Sequence, residues 1–350
     1  MIGLAELNKR NFFLILAMML IVGCQGLVPN TVQLDISQKP FERLSQYQFF
    51  VGEMSNLEPS DGVLPYDLNS PLFTDYADKS RFVWMPEGTA ATYREDRAFD
   101  FPAGAVLIKN FFYENEENHS RHIVETRLLV NRETGWDAMT YVWNDEQTEA
   151  HLTLIGDMKE MTYHGQPFTY LVPNRNQCKS CHSYDGKMMP NGPKAHQLNK
   201  AFNYPDGTFN QLEKWTAAGY LTGYQPSGKT PFAAQWDNPQ SGTLHERAMG
   251  YLDSNCGHCH NPHGPANTSG LNLTYNEPIG INMGVNKAPV ATGKGSGGRR
   301  YSIVKGQPEE SILVYRMEST DPGAMMPELG RQLIHAEGVA LIREWIAGME

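Results

Sequence analysis

Two five-residue stretches constrain this chain more than anything else in it: Cys178-Lys179-Ser180-Cys181-His182 and Cys256-Gly257-His258-Cys259-His260. Each sets two thiols three positions apart and puts an imidazole directly after the second. With five Cys and 11 His in 350 residues, about 0.002 copies are expected by chance, and two are present. The spacing suits a covalently held porphyrin: the thiols bond to the two vinyl-derived carbons on one ring edge, and the next residue turns its imidazole onto the iron. The cofactor expectation is therefore two covalently attached haem c groups (iron). Cys178, Cys181, Cys256 and Cys259 are the attachment residues, with His182 and His260 as proximal iron ligands. The competing chemistries are a redox C-x-x-C and a four-cysteine zinc site. The first normally sits in a βαβ context, which neither stretch has, and the second does not require a His after each pair.

Cys24 stands apart from these pairs. Lys9 and Arg10 precede an apolar run from Phe12 to Val22, the pattern of a signal peptide over residues 1–23. A run of about eleven apolar residues is short for a bilayer span, which needs about 20. Ile21-Val22-Gly23-Cys24 resembles the lipobox of bacterial lipoproteins, which implies lipidation of Cys24; an uncleaved apolar anchor would export the chain as well. Gln25 after that cysteine, rather than Asp, favours the outer membrane by resemblance to envelope sorting rules. A periplasm-facing location in the cell envelope is expected, with the membrane engaged through the lipid on Cys24. Export also fits covalent haem attachment, which takes place outside the inner membrane. The formal net charge of -10, with no basic stripe to reverse it, argues against nucleic acid as a partner.

The length allows two or three units at roughly 100–200 residues per domain. Residues 24–60 have no strong periodicity and are expected to be a tether. From 61 to 173 the alternating, aromatic and β-branched runs Ala105–Tyr113, His122–Val130, Met139–Trp143 and Ala150–Ile155 read as strands joined by short turns. The fold class expected is α+β and multidomain: an antiparallel β-sandwich-like domain over 61–173, then two small, mainly helical modules over 174–242 and 243–350. Thr243-Leu244-His245-Glu246 matches a capping box ahead of an apolar stripe at Leu244, Ala248, Tyr251 and Leu252, and Val339, Ile342, Trp345 and Ile346 mark a terminal helix. The polar cluster Glu114–His122 has the residue types of a metal site, but between two strands it reads as a solvated hairpin loop.

The order of features from Leu244 to Glu350 resembles class I cytochrome c, in which a Met before Pro is the second axial ligand and the terminal helix packs on the first. That resemblance implies Met326, before Pro327, opposite His260, with Met325 its near miss. The Gly-rich run Thr292–Arg299 reads as a loop wrapping the cofactor, with Arg299 or Arg300 near a propionate. For the first module, Phe209, Leu212 and Trp215 mark a closing helix. Its sixth iron ligand stays open between Met189, which precedes Pro190, His196, His164 and a vacant position.

Taken with Leu64–Tyr76, Val172–Cys178 and Gly192–Ala195, these features resemble a family of bacterial diheme c-type cytochrome lipoproteins with a β-rich N-terminal domain. The resemblance covers most of the chain after Cys24. It implies electron transfer between redox protein partners in the cell envelope, and names no substrate or catalytic residue. The alternative is a diheme oxidoreductase, peroxidase-like, working at an open sixth position on the first haem.

Overall fold

The computed structural model describes residues 31–115 and 120–350. The signal segment, Cys24 and Gln25 lie outside the described residues, as do residues 116–119 of the polar hairpin cluster. The alternating runs form β1 (Leu64–Tyr66), β2 (Asp78–Trp84), the short β3 (Ala91–Thr92), β4 (Val106–Glu114), β5 (Arg121–Arg132), β6 (Gly135–Trp143) and β7 (Ala150–Thr153). Six of them make one antiparallel sheet in the order β1-β2-β4-β5-β6-β7. The fold is thus α+β, with the sheet in the N-terminal half and short helices after it.

The sandwich expectation is corrected: no second large sheet faces the first among the described residues. Both faces carry apolar side chains, which is why the strands read as sandwich strands, but largely irregular chain covers one and short helices and a short strand cover the other. On one face Phe82, Ile108, Leu128, Met139 and Tyr141 pack with Leu44, Tyr47, Phe49, Phe50 and Leu57. Tyr141 ties this layer down by donating to the carbonyl of Phe41 at 2.8 Å, with the Tyr47 hydroxyl 2.9 Å from its own. The described part of the supposed tether is therefore core; its lack of periodicity reflects an irregular path across a flat apolar surface.

The opposite face, with Val83, Leu107 and Leu129, is covered by Ala195, Leu198, Leu212, Trp215 and Leu221. Residues 174–242 consequently do not make a separate helical module. They form the helix Arg175–Cys181, the hairpin β10 (Ser183–Tyr184) and β11 (Lys187–Met188), the hairpin β12 (Ala201–Tyr204) and β13 (Gly207–Asn210), the helix Gln211–Ala217, and β14 (Leu221–Thr222), which pairs in parallel with β3. Leu212 and Trp215 do close a core, but it is the sheet's core, while Phe209 is exposed. The hairpin β8 (Asp157–Tyr163) and β9 (Gln166–Val172) lies beside this layer, and Tyr170 donates to the buried Glu125 at 2.7 Å.

Residues 243–350 hold their own core. The capping box forms as expected, with Thr243 accepting from the Glu246 amide at 3.2 Å and Glu246 accepting from the Thr243 amide at 2.7 Å. The helix Leu244–Leu252 meets the terminal helix Ala336–Ala347 through Ala248, Leu252, Ile342, Trp345 and Ile346. Close approach needs Gly338, where an added Cβ would run into the ring of Tyr251. The segment Asp67–Tyr76 joins this unit to the sheet. Phe73 donates its amide to Asn255 Oδ1 at 2.8 Å, and Asp75 Oδ1 accepts from the amides of Gln332 and Leu333, each at 2.7 Å. Asp75 and Tyr76 take left-handed backbone, φ 44° and 61°, to turn into these contacts.

Candidate functional site

Both Cys-His stretches open onto one cavity of about 780 Å³ between the sheet, the helix Arg175–Cys181 and the C-terminal unit. The first is delivered by a short capped helix. Asn174 accepts from the Gln177 amide at 3.0 Å and Gln177 accepts from the Asn174 amide at 2.9 Å, so the helix starts one turn before Cys178. It stops at His182, and Asp185-Gly186, both left-handed, reverse the chain in a two-residue hairpin. That reversal brings the carbonyl of Met189 to 2.9 Å from His182 Nδ1. A carbonyl only accepts, so Nδ1 carries the proton and Nε2 is left as the bare donor.

The second stretch begins inside a π-helical turn, Asp253–Gly257, at the end of the helix Leu244–Leu252. At Gly257 a Cβ would lie 2.8 Å from the Leu273 carbonyl, so no larger residue fits there. His260 Nδ1 lies 3.0 Å from Ser269 Oγ, whose own proton goes to the Ala266 carbonyl at 2.7 Å. Ser269 therefore accepts, and His260 has the same tautomer as His182. Hydrogen bonding at one ring nitrogen is the usual way a protein orients an imidazole whose other nitrogen binds metal. Burial pushes both imidazoles down to about 4, which keeps them neutral at ordinary pH.

The four thiols are unpaired, with Cys178 and Cys256 buried. Burial pushes Cys256 and Cys259 up to about 12, which keeps both thiols protonated at ordinary pH. Among the described residues no three His, Cys, Asp or Glu side chains converge on a point, so the four-cysteine zinc alternative lacks its ligand set. The two stretches are packed together. Asp185 donates its amide to the His263 carbonyl at 2.8 Å and pairs with His263 Nδ1 at 3.0 Å, while Tyr184 stacks on the His263 ring.

Met326 lines the cavity; Met325 is buried outside it. Arg331, only 4% exposed, donates to the carbonyls of Ser319, Met326 and Arg316 at 2.8, 2.9 and 3.2 Å and so holds the Met326 loop in shape. Met189 does not line the cavity. Its carbonyl binds the Nδ1 side of His182, away from Nε2, and so orients the imidazole. His196 is spoken for by Asp253, at 2.9 Å, and stacks on Tyr275; His164 is exposed at the tip of the β8–β9 hairpin. Arg299 and Arg300 also lie outside the cavity lining, over the rings of Tyr315 and Tyr301.

Five residues that carry no assigned role in the sequence line or shape the site. His258, between the cysteines of the second stretch, lines the cavity and lies near enough to His182 for the two imidazoles to repel when charged. Arg331 has no motif. Arg81, Lys109 and Arg127 project into the same cavity from three strands of the sheet. The only available signal was their place in strands expected to have a buried face, where charge is costly unless it is used. No family model, no curated protein and no solved structure matches the chain.

Proposed function

We propose that this protein is an envelope-located diheme c-type cytochrome that transfers electrons between redox partners, with a lipid on Cys24 as its membrane anchor. One observation carries the reading: two C-x-x-C-H stretches, 78 positions apart in a chain of 350, present all four thiols and both imidazoles to a single cavity. The residues suit the group. The thiols are unpaired and neutral, and each imidazole is held through Nδ1 with Nε2 left over. An iron porphyrin supplies a one-electron couple. The chain's own part is attachment through Cys178 and Cys181 and through Cys256 and Cys259, orientation of His182 by Met189 and of His260 by Ser269, and exclusion of water by the walls around them.

Of the side chains lining the cavity, two are favoured as the remaining iron ligands. Met326 stands in the unit that carries His260, on a loop fixed by Arg331. His258 is the cavity-lining imidazole beside His182. Haems attached at the two closely packed stretches would share one chamber, an arrangement that suits relay between them.

The test is a pyridine haemochrome assay on protein secreted in cells competent for haem attachment. Two covalent haems per chain are expected, with one lost in the Cys178→Ala/Cys181→Ala variant; protein that folds and carries none would overturn the reading. Low-temperature electron paramagnetic resonance then separates carrier from enzyme. Two low-spin signals are expected. A high-spin signal at one centre, with peroxide turnover above that of free haem, would favour the diheme oxidoreductase.

A further inference from the structure

Arg81 on β2, Lys109 on β4 and Arg127 on β5 stand directly opposite one another across three adjacent strands, so their side chains share one face of the sheet. Cations in direct register repel, and burial makes that worse. The carboxylates nearby do not resolve it. Glu125, fully buried, is taken by Arg127 at 2.9 Å and by the Tyr170 hydroxyl at 2.7 Å. Asp67 is shared between Arg81 at 2.7 Å and Lys200 at 3.0 Å. That leaves Arg81 Nη2, on a side chain 4% exposed, with no partner at all. Lys109 has no carboxylate partner among the described residues and lies over the Phe111 ring, 4.7 Å from its centre; burial and the neighbouring Arg81 hold its amine well below the usual lysine range, so an anion beside it is what would keep it charged. All three cations line the cavity that holds the Cys-His stretches. A buried guanidinium nitrogen without an acceptor, beside an unmatched lysine, marks a place for anionic oxygens.

The row also has a direction. Its next member is Thr140 on β6, opposite Arg127, and the helix that carries Cys178 packs against β6. At about 4.8 Å per strand, Lys109 stands roughly 10 Å and Arg81 roughly 14 Å from Thr140, away from the side on which the Cys178 helix packs. A porphyrin joined to Cys178 and Cys181 by its vinyl-derived edge carries its two carboxylates on the far side of the ring.

We propose that Arg81 and Lys109 form a carboxylate-binding site for the propionates of the haem attached at Cys178 and Cys181. The sheet thereby builds part of the first haem site. The proposal rests on the haem reading above, but the unmatched cations do not.

The experiment uses the full-length holoprotein and its Lys109→Met, Lys109→Arg and Arg81→Gln variants, with potentiometric titration of both centres and resonance Raman of the propionate-bending modes. A cation near the iron favours the reduced form, so Lys109→Met and Arg81→Gln are expected to lower the potential of one centre and shift its propionate band, while Lys109→Arg restores both. Acetate and sulfate are titrated in parallel, followed by the Soret band. Saturable acetate or sulfate binding that Lys109→Met abolishes, with no propionate shift, would assign the row to a free oxyanion and overturn the propionate assignment. Unchanged potentials and bands with no anion binding would overturn the site altogether. Absence of covalent haem would sink the haem reading and the propionate assignment together; acetate and sulfate binding to that protein, read by thermal shift, would still decide whether the cation row takes anions. Removing one of three crowded cations relieves repulsion, and circular dichroism confirms the fold of each variant.

Discussion

Met326 and Met325 are adjacent, yet only the first faces the cavity. If Met326 is the thioether ligand opposite His260, Met326→Ala lowers the potential of one centre, because a thioether raises potential relative to nitrogen or water ligation. Met325→Leu leaves it in place, and redox titration of both variants decides. His258→Ala is expected to convert one low-spin resonance signal to high spin, whereas Met189→Leu, which keeps the backbone carbonyl that binds His182, changes nothing in that spectrum. A high-spin centre in Met189→Leu would restore Met189 as a ligand. What distinguishes these neighbours is direction, since side chains one position apart point to different surroundings while the sequence lists them as equals.

At the scale of elements, a buried carboxylate joins the chain around His196 to the turn that delivers Cys256. Asp253 pairs with His196 at 2.9 Å and with Lys194 at 3.2 Å, and accepts from the Tyr275 amide at 3.2 Å. Burial pushes its carboxyl up, but Lys194 and His196 outweigh that and hold it well below the usual carboxylate range. A depressed acid stabilises the fold above the unfolded-state pKa, about 3.9, and loses that contribution as pH falls below it. Wild type is therefore expected to lose stability faster than Asp253→Asn between about pH 4 and pH 2, measured by denaturant titration at each pH; parallel curves would remove Asp253 as a source of acid sensitivity. The helix elements are more local. Thr243→Ala loses the cap and costs about 1 kcal/mol. Gly338→Ala forces the Tyr251 ring aside and costs about 1–3 kcal/mol. Urea unfolding of both variants tests the order. The capping box was legible in the sequence because four contiguous residues contain all its partners; the Gly338 contact was not, because Tyr251 lies 87 positions away.

On the scale of the whole molecule, the sheet and the C-terminal unit share the segment Asp67–Tyr76. Asp75 is 2% exposed and takes the Gln332 and Leu333 amides. Asp75→Ala would strip those amides of their acceptor, at about 1–3 kcal/mol. Hydrogen exchange at Gln332 and Leu333 is expected to accelerate well before the sheet does; uniform exchange across the chain would mean that the junction is not a separate point of opening. The same view explains why residues 174–242 were expected to be a module and are not. Their apolar stripe at Leu212 and Trp215 predicts burial correctly but does not say against what, and the surface it found is the sheet.

The sequence by itself determined the two C-x-x-C-H stretches on which the proposed haem attachment rests, because each carries its thiols and imidazole within five consecutive residues. It also determined the strands and the helix starts, which rest on local periodicity and caps. Only the tertiary structure decided that both stretches share one cavity, that Met189 stands behind His182, and that Arg81, Lys109 and Arg127 meet beside it. Those relations depend on strand register and on surfaces that cover one another, which bring together residues tens of positions apart and leave no pattern along the chain.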